Sequence, residues 1–313
     1  MRNKSFISTF KKHKWALWLL ILLITGLWGY AWVHMKASLA YMGPFTFTAL
    51  RFATGSVTLL FIVWVLKLGF PPKKYWKHLI IVGLLQTAAV FLLVMYGLRF
   101  VDAGKSSVLL YSMPMWSSLL AVKYLGEKLT YKQLIGLFTG MIGLFTILGW
   151  DIWIGQSREA IFGELLIITA AVVWAVANIY YRLHLEELSK IQASAYQMTF
   201  GTVGIFIAAI SMEWGDPVHL NAESIFYILF TGVLASALCF TVWYFILSLI
   251  DIATATIATL FVPIFGLLFS AVILGEKMTA GVLIGSGLIV CGVKIAQVTK
   301  ASSTRFFKLL RRS

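Results

Sequence analysis

The chain has 313 residues, 60% of them apolar and only 12% charged, with 26 Lys and Arg against 12 Asp and Glu for a net charge of +14. A water-soluble domain carries roughly twice that charged fraction, so a soluble enzyme and a soluble nucleic-acid-binding module are both excluded. The basic excess stands mostly in two tails and in short connections, where a membrane surface accounts for it.

A basic tail, residues 1–14, leads into an apolar run at 15–35 that is longer than the ~7–15 residues of a signal-peptide core. It is therefore read as the first helix of the protein rather than as a cleaved leader. Nine further runs follow at 44–66, 78–98, 103–122, 131–150, 161–182, 193–212, 223–247, 252–274 and 280–297. Each is close to the ~20 residues that cross a hydrocarbon layer, and the connections are too short for a catalytic domain. The fold class is an all-α polytopic membrane protein with ten transmembrane helices. A cytoplasmic N-terminus puts 19 of the 26 basic residues inside and five outside, among them Lys36, Lys105 and Lys277, leaving Arg51 and Lys294 within spans. This bias predicts that both termini are cytoplasmic.

In chain order, Trp15 and Trp18 read as interfacial anchors, as do Trp150 and Trp153, and His34 as an interfacial residue. Arg51, in the second run, has no carboxylate nearby in sequence: either it snorkels or binds backbone carbonyls, or it holds a substrate carboxylate. Gln86, Asn178 and Gln197 offer neutral donors and acceptors at membrane depth. Trp28, Tyr96, Trp174, Tyr180 and Tyr244 offer aromatic walls for a zwitterionic or aromatic solute, although each is equally serviceable in helix packing. Pro114 and Pro263 lie mid-span, where each removes a backbone hydrogen bond; a bent helix facing a cavity and a tolerated kink are the two readings. Asp102 and Asp251 precede those helices as N-caps. Thr130 with Gln133 forms a capping-box pattern that Thr279 lacks at Val282. Gly136 and Gly140, like Gly281 and Gly285, form small-residue ridges for close helix packing. Glu164 opens the sixth run near the predicted outer surface and is the carboxylate to test for proton coupling. Cys239 and Cys291 read as buried small residues.

Residues 125–130 read LGEKLT and residues 274–279 read LGEKMT, an offset of 149. The same offset pairs Asp102 with Asp251, Pro114 with Pro263, Gly126-Glu127-Lys128 with Gly275-Glu276-Lys277, Thr130 with Thr279 and Gly143 with Gly292. An offset of 146 pairs Trp28 with Trp174 and Lys36 with Arg182. The chain thus divides into repeat 1 (15–150), an external linker (151–160), repeat 2 (161–297) and a cytoplasmic basic C-tail (298–313). Five helices per repeat is an odd number, so the repeats are inverted across the membrane, and Glu127 and Glu276 face opposite sides. Each glutamate marks either a structural junction, pairing with its neighbouring lysine or a loop, or a gating contact.

The paired GEK-plus-threonine elements and the paired prolines, spread over residues 15–297, resemble the drug/metabolite transporter superfamily, in its ten-helix EamA family. The resemblance implies export of amino acids, other small metabolites or drugs from a bacterial cell, with the last helices of each half packed together away from the pathway. No cofactor or metal is expected, and the partners implied are the bilayer and a small-molecule substrate; monomer and homodimer both fit. Small multidrug members of the superfamily carry a glutamate in the first helix for proton exchange, and the first run here has no carboxylate.

An intramembrane enzyme would need convergent catalytic groups at depth, whereas the five histidines are scattered at 13, 34, 78, 184 and 219. A lipid-linked carrier or flippase, or an uptake permease, shares the same fold expectations. A passive channel is disfavoured by the inverted repeat.

Overall fold

The computed structural model describes residues 14–126, 130–153, 155–249 and 259–310; at 14, 148–149, 151–152, 244–245, 247–249 and 296–310 only the backbone is described. Glu127, Lys128 and Asp251, the side chain of Tyr244, residues 1–13 and 311–313 and the side chains of 298–310 therefore lie outside the described residues.

The described secondary structure is helical throughout. The elements are α1 (Lys14–Ser38), α2 (Pro44–Val65), α3 (Lys73–Gly97), α4 (Ala103–Leu110), α5 (Met113–Leu125), α6 (Tyr131–Trp153), α7 (Arg158–His184), α8 (Lys190–Met212), α9 (222–249), α10 (Phe261–Ile273) and α11 (Ala280–Leu310). Seven helical segments are long and apolar enough to cross a membrane, and three shorter apolar stretches lie in α6, α10 and α11. Large apolar side chains such as Phe61, Trp64, Phe138 and Val272 point outward. Such a surface is stable in hydrocarbon and aggregates in water.

Two expected boundaries move. The linker shortens because α6 runs on to Trp153 and α7 starts at Arg158, N-capped by Ser157, whose Oγ accepts from the Ala160 amide at 3.2 Å. The C-tail is helical as far as Leu310 because residues 298–310 contain neither glycine nor proline to stop α11. Three side-chain expectations also change. Trp150 lies against Gly281, so it packs between helices where an interfacial anchor was expected. Cys239 is buried as expected, but Cys291 is exposed on the outer surface of the bundle. Lys105, assigned to an outside loop, is buried in the first turn of α4.

The helices of the two halves interleave. Contacts of α1 with α10 are matched by contacts of α7 with α5, contacts of α2 with α9 by those of α8 with α3, and contacts of α3 with α7 by those of α9 with α1. The pairs α2·α8 and α6·α11 map onto themselves. Among the described residues these contacts thus recur when the halves are exchanged.

Glycines set the closest approaches. A Cβ on Gly143 would lie 2.6 Å from the Gly285 carbonyl oxygen, and one on Gly285 would lie 2.6 Å from that of Gly143. Gly292 comes as close to Gly136 and Gly140, so α6 and α11 touch backbone to backbone in the most extensive helix pair. The expected ridge residues share in this seam through Gly136, Gly140 and Gly285.

Two helices contain π-helical segments, Gly83–Ala89 in α3 and Phe230–Leu238 in α9, which are the third helix of the first half and its counterpart in the second. Such wide turns gather at functional sites because they leave backbone groups off the regular ladder. Each is pinned by glycine: Gly83 against Gly201 of α8, and Gly232 against Arg51 and Thr54 of α2.

Candidate functional site

The fourth helix breaks as Pro114 requires. Helix α4 ends at Leu110, Tyr111 and Ser112 form a turn, and α5 restarts at Met113 with the proline in its first turn, where a missing N–H costs nothing. Pro263 likewise stands in the first turn of α10, after a turn at Thr259 and Leu260.

The repeated hexapeptide divides its work by residue. Gly126 (φ 65°) and Gly275 (φ 68°) end α5 and α10 in the left-handed region that glycine adopts without strain. Thr130 and Gln133 bond reciprocally at the start of α6, and Thr279 accepts from the Val282 amide at 3.3 Å at the start of α11. Glu276 reaches across to the other half, accepting from the amides of Ala103 at 2.7 Å and Gly104 at 3.0 Å. Asp102 holds the N-cap position of α4 but makes no side-chain cap hydrogen bond there. The cap is supplied by Glu276, whose carboxylate occupies the amides that Asp102 was expected to serve. Lys277 is exposed.

Other charges gather at the same end of the bundle. Lys105 pairs with Glu164 at 2.8 Å, with 6% and 0% of the two side chains exposed. Lys36 donates to the carbonyl oxygens of Leu98 (2.5 Å) and Val101 (2.9 Å) at the end of α3. Glu213, not singled out in the sequence, accepts from the amides of Phe45 and Thr46 at the start of α2. Glu276, Glu213 and the Lys105–Glu164 pair thus fasten helix ends of one half to the other, while Lys36 ties α1 to the end of α3 within the first half. Glu276→Ala is expected to cost about 0.5–2 kcal/mol, seen as a melting temperature a few degrees lower for the purified protein. An unchanged melt would remove the cap from this account.

At the opposite end Tyr180 bonds His78 Nδ1 at 2.9 Å and stacks on His184, away from the bundle centre. His34, expected at an interface, is 3% exposed and ringed by Tyr30, Phe226, Tyr227 and Phe230; it stacks on Tyr227 and meets the other three edge-on. Tyr96 stacks on Phe45 near the end of α3, and Asn178 donates to Met113 Sδ at 3.2 Å.

The remaining polar candidates meet where the π segments face α2 and α8. Arg51 is 6% exposed, with its guanidinium 4.9 Å from the ring centres of both Phe52 and Phe91. It donates to Met35 Sδ at 3.0 Å and, at the 3.5 Å limit, to Ser236 Oγ in the π segment of α9. Its Nε has no partner among the described residues. Gln197 accepts from Thr87 Oγ1, in the π segment of α3, at 2.9 Å. Between them Ser56 and Thr202 are 3.0 Å apart. Gln86 is half-buried in the α3 π segment. Trp174 faces Phe91 at 6.4 Å, while Trp28 faces Phe240 at 5.6 Å and donates to the Ala235 carbonyl at 2.8 Å.

These pairs follow the repeat register. An offset of 146 carries Arg51 onto Gln197 and Ser56 onto Thr202, and 149 carries Thr87 onto Ser236 and Phe91 onto Phe240. Ser56 and Thr202 therefore meet as each other's counterparts, and Arg51–Ser236 and Gln197–Thr87 are counterparts likewise. Ser56, Thr87, Thr202 and Ser236 were missed because single hydroxyls in apolar helices carry no motif; the 146 offset extended into the second helices finds Ser56 and Thr202, and the 149 offset extended back into the third finds Thr87 and Ser236.

A polytopic bundle of two interleaved halves, with a polar belt across their junction, is the build of a membrane transporter. The chain belongs to the EamA-like transporter family, whose model matches residues 14–149 and again 161–296. It is 31% identical over 274 residues to an uncharacterized transporter, YoaV, of Bacillus subtilis (strain 168), covering 87% of this chain and 94% of that one. It is 25% identical to a probable amino-acid metabolite efflux pump of Salmonella typhimurium (strain LT2), with 88% and 93% covered. It is 26% identical to a probable terminal-alkyne amino-acid exporter of Streptantibioticus cattleyicolor, with 90% and 92% covered. A crystal structure with 19% identity superposes with a TM-score of 0.66 over 91% of this chain and 96% of that one, and shows the same fold.

Proposed function

We propose that the protein exports a small amino acid-like or drug-like metabolite across the plasma membrane by alternating access. In this reading ten transmembrane helices form two five-helix repeats of opposite orientation, with both termini cytoplasmic. The observation that carries it is the exchange symmetry of the helix contacts. Two halves that play interchangeable structural roles have inward-open and outward-open states of nearly equal energy, since each state is the other with the roles of the halves reversed. The names of two relatives support amino acid-like cargo, and the basic bias supports the sidedness.

The test is metabolite analysis of medium and cytosol from cells overproducing the protein, against cells making Pro114→Ala/Pro263→Ala at equal abundance. A solute enriched outside and depleted inside only with the wild type is expected. The reverse gradient would mean uptake, and no difference in any solute would favour a lipid-linked substrate. Sidedness has its own measurement in a Cys239→Ser/Cys291→Ser background: an impermeant maleimide should label Lys277→Cys in intact cells and Lys73→Cys only after lysis. The opposite pattern inverts the topology.

A further inference from the structure

We infer that Arg51 is the anion-binding half of an asymmetric substrate site at the junction of the halves, and that the substrate it selects carries a carboxylate. The inference rests on the exporter reading above and names the chemistry that the pathway recognises. The hydroxyls and one ring of the belt are duplicated: hydroxyl meets hydroxyl at Ser56 and Thr202, Thr87 answers Ser236, and Phe91 answers Phe240. The pair at 51 and 197 breaks the pattern, placing a cation in one half and a neutral amide in the other.

That cation is buried and under-coordinated. A guanidinium presents five N–H donors in a planar fork that matches a carboxylate bidentately. Here one donor meets a thioether sulfur, one meets a hydroxyl at the distance limit, and Nε meets nothing among the described residues. The described residues supply no carboxylate to Arg51. Removing a charge from water without a hydrogen-bonded counter-ion is expensive, and the faces of Phe52 and Phe91 offset only part of that. A purely structural arginine at this depth would be matched by a glutamate, as Lys105 is by Glu164. Arg51 also bridges the halves, from α2 of the first to the π segment of α9 in the second, so an anion held there touches both parts that must move. Gln197 and Thr87, the neutral counterpart, receive the uncharged or amino end of the solute.

The measurement is competition for uptake of labelled neutral L-amino acids into proteoliposomes containing the full chain, comparing each unlabelled amino acid with its carboxamide. Wild type is expected to be inhibited by the acid at a concentration at least about tenfold lower than by the amide. Arg51→Gln, which copies the second half's residue into the first, is expected to abolish that difference. The exchanged variant Arg51→Gln/Gln197→Arg is expected to restore it, because the two positions are counterparts in the repeat. Equal competition by acid and amide in the wild type overturns the inference and leaves the exporter reading standing, whatever the folding of the variants. An acid preference surviving in Arg51→Gln overturns it as well. Absence of uptake of any labelled amino acid by the wild type overturns the amino acid-like exporter reading and this inference with it.

Discussion

Glu164→Leu, with Lys105 left in place, is expected to lose about 3–5 kcal/mol of stability, because it removes the carboxylate paired with an ammonium in a site where 6% of its side chain reaches the surface. Thermal unfolding of the detergent-purified protein would show this as a melting temperature many degrees lower, or as loss of the monodisperse species. Lys105→Met/Glu164→Leu is expected to recover most of the loss, since two apolar side chains of similar volume satisfy each other where one charge cannot. Equal destabilisation by the single and the double substitution would mean that the ion pair is not the source of the effect. Glu164→Gln asks the separate question of proton coupling: if the pH dependence of transport is unaltered, the carboxylate is not the proton carrier.

The second large effect is expected at the glycines that pin the π segments. In Gly201→Ala the new Cβ would stand 2.4 Å from the Gly83 carbonyl oxygen and 2.5 Å from Thr87 Cβ, both on α3. Backbone cannot rotate aside as a side chain can, so α3 and α8 must separate, at about 1–3 kcal/mol. The separation also pulls Thr87 from Gln197, so transport should fall further than abundance. Gly204→Ala is the control one turn along: its nearest neighbour is the terminal Cδ2 of Leu84 at 2.8 Å, which a change of rotamer relieves. Similar losses of activity at equal abundance for the two variants would dissociate the π-segment contact from function.

The hexapeptide shows what was legible in the sequence and what was not. Its glycine and threonine act on their own helices, stopping one and starting the next, and such short-range roles are written in residue type and spacing. Its glutamate acts on a helix in the other half, and no local pattern announces which amides it will meet. Asp102 was assigned the cap for that reason: a short carboxylate directly before a helix is the local solution, and the structure uses a distant one. The same limit hid Lys105–Glu164, two residues 59 positions apart whose meeting depends on how α4 crosses α7. The π segments left no trace either, because their sequences read as ordinary apolar helix. The repeat register reaches further than any motif: the 146 offset of the first helices, extended into the second, pairs Arg51 with Gln197, and the packing of α2 on α8 turns that arithmetic into a site.

The glycine seam between α6 and α11 bears on how this protein can be measured. Backbones held at van der Waals distance carry no titratable group and no screened charge, so salt and pH leave that contact untouched, whereas the fastenings at the helix ends are carboxylates, ammonium groups and amides. Ionic strength and pH therefore discriminate between the two kinds of contact: they act on the charged rim, the belt and the basic tails and leave the α6·α11 seam as it is.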